Sequence, residues 1–384
     1  MEIIVTNRFP PHKSKYQTRI MWKRIEIKVP ASSANMGPGF DVLGIGLGLH
    51  LTIVAKVPQP TTNNVGDLNS LNMTIEYNEP GLGVASNVPS DPFENLITRI
   101  AIYVASAHDT RLPSGIRVEI HNPIPLGRGL GSSGSAVVAG VALANACCGL
   151  SLTKDRMLDF CAMLEGHPDN VAGSLIGGLV TSFLSEDVSL QSQRLSEDRS
   201  CIVHSGGSNS IPTPPQKLCV YTQVPLASTI RAVVAIPAFE LATSKSRGVL
   251  PKSYSRPDVV FNLQRVAMLV LALGDPNSLS PQTIRECMRD KVHQEYRKHL
   301  VPGLDEILSL DDTNLPGLLG VCLSGAGPTA IALATSGFDA IGSEMVRIFA
   351  KNTDPVTGNP IISRYLVLDV DHNGLEISET MVDE

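Results

Sequence analysis

Asn122-Pro-Ile-Pro-Leu-Gly-Arg-Gly-Leu-Gly-Ser-Ser-Gly-Ser-Ala136 is the stretch of sequence that decides how this chain folds and what it binds. Its glycines let the backbone approach a ligand closely, and its serines supply hydroxyl groups. The small, apolar residues from Gly134 to Cys148 predict a buried helix directly after this loop. Because the beginning of a helix presents free N–H groups and a partial positive charge, loop and helix together predict an anion cradle. A plain glycine-rich turn is the structural alternative.

Two familiar nucleotide motifs match this loop in spacing but not in context. Its glycines satisfy G-x-G-x-x-G, which requires a strand that ends at the first glycine, here Gly129, and an acidic residue at the tip of a second strand. Pro123 and Pro125 separate the preceding strand from the loop, and Asp155 lies at the beginning of a helix. The Walker A motif fails because Ser135 stands where its lysine should be. A dinucleotide-dependent dehydrogenase is therefore a remote alternative.

A second loop, from Pro30 to Asp41, has the sequence PASSANMGPGFD. Its Gly-Pro-Gly turn can fold the chain back so that Asn35 and Asp41 reach one pocket, where an amide would bind a hydroxyl and a carboxylate an ammonium group. The alternative is that both side chains only stabilise the turn. A third loop, Leu323 to Ala330 (LSGAGPTA), follows a strand and repeats the same small-residue chemistry.

The segment Glu165-Gly-His-Pro-Asp-Asn170 lies between those loops in the sequence. Glu165 closes a predicted helix and can chelate a divalent cation that also bridges phosphates, since hard cations prefer oxygen ligands. The alternative for Glu165 is a solvated acid at a helix end. His167 lies beside a glycine, and by itself such a histidine is usually structural.

The first half of the chain is predicted to mix strands and helices. Alternating apolar and polar residues from Ile25 predict a strand that breaks at Pro30. Further strands are predicted at 49–53 and 116–120, and helices at 95–107 and 153–165. Thr153 is the expected N-cap of the last helix, and Gly166 lies at its C-terminal end.

The composition changes between residues 184 and 218, which are rich in Ser, Gln and Pro and contain LSED twice. This segment is predicted to be a surface insertion or linker. After it, strands are predicted at 230–236, 321–323 and 365–368, with a helix at 258–273 and further helices through the 280s and 290s. The pattern predicts two domains. The predicted boundaries are 1–21 for an N-terminal extension, 22–183 for the first domain, 184–218 for the linker and 219–384 for the second domain.

Composition and charge exclude several classes of protein. The 384 residues suffice for two ordinary cores, and 31 basic against 37 acidic side chains give a net charge of −6, so nucleic acid is not an expected partner. Seven cysteines without metal-ligand spacing predict reduced thiols in a cytoplasmic protein. The longest apolar run, residues 136–148, is too short to span a bilayer, so no membrane segment is predicted.

Residues 1–20 carry four basic side chains against Glu2 alone, a bias that allows an organelle-targeting segment. The simpler expectation is an unstructured extension, or a natural start at Met21, because the first clean strand pattern begins just after that residue.

Four stretches, taken in order, resemble the GHMP superfamily of small-molecule kinases, which includes galacto-, homoserine, mevalonate and phosphomevalonate kinases. They are PASSANMGPGFDVLGIGL, PIPLGRGLGSSGSA, EGHPDNVAGSLIGG and LSGAGPTA, and they are most similar to the homoserine kinase family. The resemblance extends from about Ile25 to the last predicted strand and leaves 184–218 unmatched. It implies an α+β, two-domain fold, with an N-terminal domain like domain 2 of ribosomal protein S5 and a C-terminal ferredoxin-like domain. ATP and substrate would bind between them.

The resemblance also implies a nucleotide site. Ser132 and Ser133 would lie at the phosphates or at Mg²⁺, and Ser133 with Glu165 would bind the metal. Asp159 is a rival to Glu165 because the alignment near the end of that helix is loose. Asn95 would touch the adenine. The implied nucleotide-binding residues of the loop are Pro125, Leu126, Gly127, Arg128, Gly129, Leu130, Gly131, Ser132, Ser133, Gly134 and Ser135.

The acceptor implied by the resemblance is L-homoserine, a zwitterion with a primary hydroxyl. A selective pocket needs a carboxylate for its ammonium group, a guanidinium for its carboxylate and a polar group at its hydroxyl. The resemblance assigns Asn35 and Asp41 to the amino end, and Asn170, with His167 nearby, to the reacting hydroxyl.

Two arginines would hold the substrate carboxylate by the same resemblance, namely Arg247 and Arg297. Arg231 or Arg256 would replace Arg247 if the alignment shifts. Superfamily members with a catalytic aspartate carry it in an HGxxSGxD-like segment, whereas this chain has HPDNVAGS there, as homoserine kinases do. The implied catalytic residues are Asn170, His167 and Arg247.

The expected activity is ATP-dependent phosphorylation of the homoserine hydroxyl with Mg²⁺, in threonine biosynthesis, by a cytoplasmic enzyme that forms a homodimer. The alternatives are a mevalonate- or sugar-type kinase of the same superfamily and a non-catalytic nucleotide sensor on the same fold.

Overall fold

The computed structural model describes residues 21–59, 72–78, 88–185, 213–275 and 280–383. The first half of the chain contains β1 (Met21–Ala34), β2 (Leu43–Pro58), β3 (Met73–Tyr77), α1 (Leu96–Ala107), β4 (Ile116–His121), α2 (Ser132–Cys148), α3 (Lys154–Glu165), α4 (Asp169–Ile176) and β5 (Leu179–Leu184). The second half contains β6 (Cys219–Val224), β7 (Arg231–Pro237), α5 (Thr243–Gly248), α6 (Arg256–Gly274), α7 (Pro281–Cys287), α8 (Gln294–Arg297), a 3₁₀ turn (Lys298–Leu300), α9 (Leu304–Leu308), β8 (Leu318–Leu323), β9 (Ala330–Ala334), α10 (Phe338–Ala350), β10 (Ser363–Leu368) and β11 (Glu376–Asp383).

Within the described residues the strands form two sheets. The first sheet is seven-stranded: β11, β1, β2, β4 and β3 lie side by side in that order, β5 pairs with β2, and β6 pairs with β5. The second sheet is four-stranded in the order β10-β7-β9-β8, and all of its neighbours are antiparallel. Along the chain its elements follow as β7, helices, β8, β9, α10 and β10. This is the β-α-β-β-α-β pattern that the resemblance implies for a ferredoxin-like domain.

The pairing of β6 and β11 differs from the predicted domain boundaries. Leu184 pairs with Cys219, so the predicted linker connects two adjacent strands of the first sheet. β11 has no counterpart in the sequence prediction, and it pairs with β1 from Met21 to Lys28. Segments near both ends of the predicted 219–384 domain therefore complete the first sheet, since its strands need partners for their N–H and C=O groups. The N-terminal extension (1–20) and most of the insertion (186–212) lie outside the described residues.

β1 is longer than predicted. The expected break at Pro30 is wrong, because the strand continues to Ala34. Its register with β2 shifts between Pro30 and Ala31. Such an irregularity accommodates a residue that lacks a backbone N–H. The strand thereby carries the polar residues that follow Pro30 into the interior of the protein.

The predicted ends of α3 are confirmed. The Thr153 side chain accepts a hydrogen bond from an N–H of the first turn, and Gly166 ends the helix with a φ of 84°. α2 begins at Ser132 and is buried on almost every side. Gly140 allows it to pack closely on α1, because a Cβ there would come within 2.6 Å of the Ile97 carbonyl oxygen. This packing holds the first turn of α2 in place.

α6 is a 19-residue helix that is long and apolar enough to cross a membrane by length and composition, although only 22% of its apolar window is buried. A single helix of this kind is weak evidence for a membrane span, so it does not contradict the prediction that the chain has no membrane segment. Core helices of soluble proteins that pass the same test are mostly buried, whereas α6 is exposed on one side. Asn262, on the inner side of α6, donates a hydrogen bond to buried Asp290, so that side belongs to the protein interior. The outer side carries five exposed apolar side chains, Val259, Val260, Leu263, Met268 and Leu271.

Candidate active site

A cavity of about 660 Å³, its open mouth included, lies between the first sheet's helices and the loops of the second. Its walls come from the glycine-serine loop, the residues that follow β1, the connection between α3 and α4, and parts of the second unit near 241–247 and 325–327. The sequence-predicted residues that line it are Asn35, Asp41, Gly127, Arg128, Gly129, Gly131, Ser132, Ser133, Gly134, Glu165, His167, Asn170, Arg247 and Arg297.

The glycine-serine loop turns its carbonyl groups toward the protein. Gly127, Gly129 and Gly131 have φ angles of 62°, 78° and 68°, so every second residue is left-handed. Ser324 Oγ donates to the Gly129 carbonyl at 2.6 Å, and the Ser32 N–H donates to the Leu130 carbonyl at 3.2 Å. The first N–H groups of α2 have no acceptor within the helix. Loop and helix therefore have the geometry of the anion cradle that the sequence predicts.

Two serines at the start of α2 bear on ligand binding. Among the described residues, Ser132 Oγ is one of the few buried side-chain polar atoms without a hydrogen-bond partner. A ligand oxygen in the cavity would satisfy it. Ser133 Oγ donates to Glu165 Oε2 at 3.3 Å. A hydroxyl and a carboxylate so close together fit a magnesium ion, which prefers hard oxygen ligands.

Asp159, the rival metal carboxylate, is already engaged elsewhere. It is 2% exposed. Its Oδ1 accepts hydrogen bonds from the backbone N–H groups of Leu218 and Cys219, and its Oδ2 accepts one from Arg156. Asp159 therefore ties α3 to the start of β6, and it does not line the cavity.

Some residues implied by the resemblance lie behind the cavity wall. Asn95 caps α1: its oxygen accepts from the Ile97 N–H, and its amide donates to Tyr77 Oη and to the Pro89 carbonyl. Ser135 donates to the Pro30 carbonyl. The predicted residues that do not line the cavity are Asn95, Pro125, Leu126, Leu130 and Ser135. They support the loop and the helices around it.

Arg128 lies at the rim and binds protein groups. Its guanidinium donates to the Leu126 and Ala238 carbonyls at 2.7 and 2.6 Å. It also pairs with Glu240 at 3.3 Å. The side chain thus connects the glycine-serine loop to the end of β7.

A buried ion pair occupies the start of α4. His167 Nδ1 lies 2.6 Å from Asp169 Oδ1. Burial by itself lowers the pKa of His167, but the charge of Asp169, the hydrogen bond to it and the charge of Glu165 raise it from 6.5 to about 9. Burial raises the pKa of Asp169, yet His167 and the Asn170 N–H hold it below its usual value. His167 is therefore a cation at neutral pH, beside a carboxylate.

Asn170 lies against the phosphate cradle. Its Oδ1 accepts a hydrogen bond from Ser32 Oγ at 3.1 Å. A Cβ placed on Gly131 would lie 3.1 Å from the same Oδ1. The amide of Asn170 is thus next to the loop that would hold a transferable phosphate.

Asp41 and Arg247 form a two-point ion pair on the cavity wall beside His167 and Asp169, where one ligand atom each of Asp41, His167 and Asp169 lie within 4.8 Å of one another. The guanidinium donates to the two carboxylate oxygens at 2.6 and 3.1 Å. Asn35 supports this wall, since its Oδ1 accepts from the Asp41 N–H and its amide donates to the Gly325 carbonyl. The alternatives to Arg247 lie elsewhere: Arg231 pairs with Asp369, and Arg256 begins α6.

Arg297 is 1% exposed and still lines the cavity. Its Nε donates to the Ser246 carbonyl and its Nη1 to the Gly325 carbonyl, both at 3.2 Å. Burial and the neighbouring charge of Arg247 lower its pKa to about 10, so it stays charged at neutral pH. A buried cation that opens onto a cavity favours an anionic ligand group.

Sequence reasoning missed several cavity residues. Asp169 belongs to the HPDN segment, where its position beside His167 was the available signal. Ser32, in the PASSAN segment, does not line the cavity, but its hydroxyl donates to Asn170 Oδ1 behind the cavity wall. Thr243 lines the cavity from the start of α5 and belongs to no motif.

Comparisons with known proteins agree with this geometry. The models for the GHMP kinases N terminal domain and the GHMP kinases C terminal match residues 95–178 and 276–348. Homoserine kinase of Saccharomyces cerevisiae is 46% identical over 341 residues, or 86% of this chain and 94% of the yeast chain. Homoserine kinase of Schizosaccharomyces pombe is 43% identical over 357 residues, or 92% and 99% of the two chains.

A solved structure extends the likeness to the fold. The crystal structure of homoserine kinase from Cytophaga hutchinsonii has a TM-score of 0.69 and 25% identity, and the match covers 97% of this chain and 100% of that one. The predicted two-domain GHMP kinase fold is thereby confirmed. With this extent of similarity around a cleft that combines an anion cradle with paired charges, the chain belongs to the homoserine kinase family of the GHMP kinases.

Proposed function

We propose that this protein transfers the γ-phosphoryl group of ATP to the side-chain hydroxyl of L-homoserine and forms O-phospho-L-homoserine, a step of threonine biosynthesis. The two yeast relatives are homoserine kinases, and the alignment with this chain covers most of the length of each. The observation that carries the proposal is the proximity of the Asn170 amide to the phosphate loop at Gly131. An amide there can orient a hydroxyl toward a phosphate that the loop holds.

The protein contributes positioning and charge rather than covalent chemistry. The first turn of α2 offers N–H donors and a partial positive charge to the phosphates. Although burial lowers the pKa of His167, Asp169 and Glu165 raise it to about 9, so the protonated ring provides positive charge at neutral pH. Asp169 is occupied by His167 and by the Asn170 N–H. The hydroxyl proton therefore leaves late in the reaction and passes to the transferred phosphate.

Ser133 and Glu165 would hold Mg²⁺. When bound, the ion supplies positive charge that neutralises the transferring phosphate oxygens. Glu165→Gln should raise the Mg²⁺ concentration for half-maximal rate by about tenfold, because a charged ligand becomes neutral. Asp159→Asn is the matched control: it should lower the melting temperature and leave the Mg²⁺ requirement unchanged. The reverse result would make Asp159 the metal ligand.

The two charged ends of homoserine would be bound by different residues: the ammonium group by Asp41, and the carboxylate by Arg247 and Arg297. The Asp41–Arg247 pair would open as substrate enters, with Asp41 binding the ammonium group and the guanidinium the carboxylate. A substrate that carries both charges offsets the loss of that pair. A neutral sugar offers neither charge, and mevalonate lacks the ammonium group. The pocket therefore favours an amino acid.

One assay separates the candidate activities. Homoserine, mevalonate and galactose are supplied side by side with ATP and Mg²⁺, and ADP release is measured. We expect turnover with homoserine only. Preferred turnover of mevalonate or galactose would indicate another GHMP kinase. ATP binding without turnover of any acceptor would indicate a nucleotide sensor.

We also propose a cytoplasmic location. The six cysteines in the described part of the chain are free thiols, which suits a reducing compartment. Fractionation with compartment markers tests this proposal, and recovery in an organelle or membrane fraction would contradict it.

The outer side of α6 is proposed as the contact between two copies of this chain in a homodimer. Leu263 and Leu271 are 61% and 72% exposed and lie two turns apart. In an antiparallel pair about a twofold axis, Arg256 at the start of one helix would lie beside Asp275 at the end of the other, so the surface is complementary to itself. Light scattering should give a dimer that Leu263→Gln with Leu271→Gln converts to a monomer. A monomeric native protein, or one bound to lipid vesicles through this side, would refute it.

A further inference from the structure

The buried histidine between α7 and α8, His293, lies outside the cavity and contacts Arg297, which lines it, and the turn that precedes Asp41. Its ring is 0% exposed. Nε2 lies 2.8 Å from the Gly37 carbonyl oxygen, within the turn that leads to Asp41. Nδ1 lies 3.1 Å from Nη1 of Arg297. We infer that His293 is a positioning residue for the phosphoryl acceptor, which holds Arg297 and the Asp41 turn in a fixed relation through a single neutral tautomer.

The two partners determine the tautomer. A carbonyl oxygen only accepts, so Nε2 must carry the hydrogen that it donates to Gly37. A guanidinium only donates, so Nδ1 must be bare and accept from Arg297. A doubly protonated ring would direct an N–H at the guanidinium and lose that bond. Burial and the positive charge of Arg297 act in the same direction and lower the pKa of His293 below its usual value.

The other groups around His293 are consistent with a neutral ring. Asp290 Oδ2 is 3.7 Å from Nε2, but this carboxylate already accepts the backbone N–H groups of His293 and Gln294 at 2.8 and 2.6 Å. The Phe40 ring stacks on the imidazole with a centroid distance of 5.4 Å. Asp41 contributes only at longer range. Asp290 therefore interacts mainly with backbone N–H groups and less with the imidazole ring of His293.

The turn held by His293 has little freedom of its own. Gly37 has a φ of 77°, and a Cβ there would come within 2.4 Å of the Met288 carbonyl oxygen. The Asn262 amide donates to the next carbonyl, that of Pro38, at 3.3 Å. His293 adds a hydrogen-bonded connection between this turn and the guanidinium of Arg297, which lies 5.2 Å from the Phe40 ring centroid. Because Asp41 would bind the ammonium group and Arg297 the carboxylate, the distance between those two groups sets which acceptor fits.

Two substitutions separate the two hydrogen bonds. In His293→Gln the side-chain amide can still donate to Gly37, whereas the acceptor for Arg297 is lost. In His293→Asn the side-chain oxygen can replace Nδ1 as acceptor, whereas the donor to Gly37 is lost. Loss of a hydrogen bond to a charged group changes affinity by roughly tenfold or more. We therefore expect His293→Gln to raise the homoserine KM about tenfold, with the ATP KM within about twofold. His293→Asn should recover most of the homoserine KM.

A truncated acceptor tests whether the effect passes through Arg297. 3-Aminopropan-1-ol has the hydroxyl and amino groups of homoserine but no carboxylate. If His293 acts by positioning Arg297, His293→Gln should lower kcat/KM for homoserine about tenfold and leave kcat/KM for 3-aminopropan-1-ol within about twofold of the unsubstituted protein. His50→Gln is the control: His50 pairs with Asp371 at 2.6 Å and does not line the cavity. Its kinetics should not change.

This inference rests on the proposed function, and the two fail differently. If the unsubstituted protein does not phosphorylate homoserine, the proposed function fails. If it does, and both His293 variants lower the melting temperature while shifting the KM for ATP and both acceptors alike, the role of His293 is only structural and the inference is refuted. A homoserine KM unchanged in His293→Gln would refute it too.

Discussion

Replacing Gly131 by alanine tests the phosphate cradle most directly. Gly131 has a φ of 68°, and a Cβ there would lie 2.1 Å from Ser32 Oγ and 3.1 Å from Asn170 Oδ1. The left-handed backbone alone costs an alanine about 1–2 kcal/mol. The contact with Ser32 also has to be relieved, and this would break the Ser32–Asn170 hydrogen bond of 3.1 Å. The amide that orients the acceptor hydroxyl would then move.

The expected kinetic effect follows from that movement. A shift of about 1 Å in a positioning group can lower the rate roughly a hundredfold. We expect Gly131→Ala to lower kcat for homoserine phosphorylation by about that factor, measured by coupling ADP release to NADH oxidation. Its melting temperature should fall by only a few degrees, since about 1 kcal/mol corresponds to roughly 1 °C in a chain of 384 residues.

The matched control lies at the other end of the same helix. Gly149 ends α2 with a φ of 62°, but a Cβ there would meet nothing within 4 Å. Gly149→Ala therefore introduces similar backbone strain without a clash near the cavity. It should lower the melting temperature by no more than Gly131→Ala does and leave kcat unchanged. If both variants lose activity in proportion to stability, or if Gly131→Ala keeps its kcat, the reasoning about the cradle is wrong.

Three further predictions concern the acceptor side and pH. Asn170→Ala should lower kcat by about a hundredfold and leave the ATP KM nearly unchanged, because its amide orients only the hydroxyl; a larger effect on the ATP KM would contradict this. Arg297→Ala should mainly raise the homoserine KM, by roughly tenfold or more, and steady-state kinetics with a lowered kcat alone would oppose it. Since the pKa of His167 is raised from 6.5 to about 9, its ion pair should stabilise the fold fully below pH 6.5. That contribution should be lost as the pH rises through about 9, whereas urea unfolding of His167→Gln should not show this loss.

Local signals in the sequence were enough for several elements. The ends of α3 follow from a threonine and a glycine at the two boundaries, and the structure has the helix at Lys154–Glu165. The glycine-serine loop and the start of α2 are adjacent in the chain, so an anion cradle there follows from sequence order alone. Glu165 Oε2 lies 3.3 Å from Ser133 Oγ because the end of α3 lies beside the start of α2, and both helices were predicted.

Other features depend on contacts between distant parts of the chain. β1 continues through Pro30 because its register with β2 shifts at that point. The sequence of one strand does not indicate the register with its partner, so this continuation could not be predicted. β11 was not predicted, and it is a strand because β1 offers an edge to it. The resemblance assigns Asn95 to the adenine, and in the structure its side chain caps α1 and donates to Tyr77 and to the Pro89 carbonyl, contacts that no local pattern indicates. His293 belongs to no predicted motif.

The sequence by itself determined the chemistry of the cradle, because glycine conformation, serine hydroxyls and the start of a helix act over a few neighbouring residues. The two-sheet packing decided the acceptor pocket. Asn35 meets the Gly325 carbonyl across 290 residues, and Arg247 meets Asp41 across 206. Separations of this length are closed only when the core forms, since burial of the apolar surfaces of both sheets offsets the chain entropy that such contacts cost.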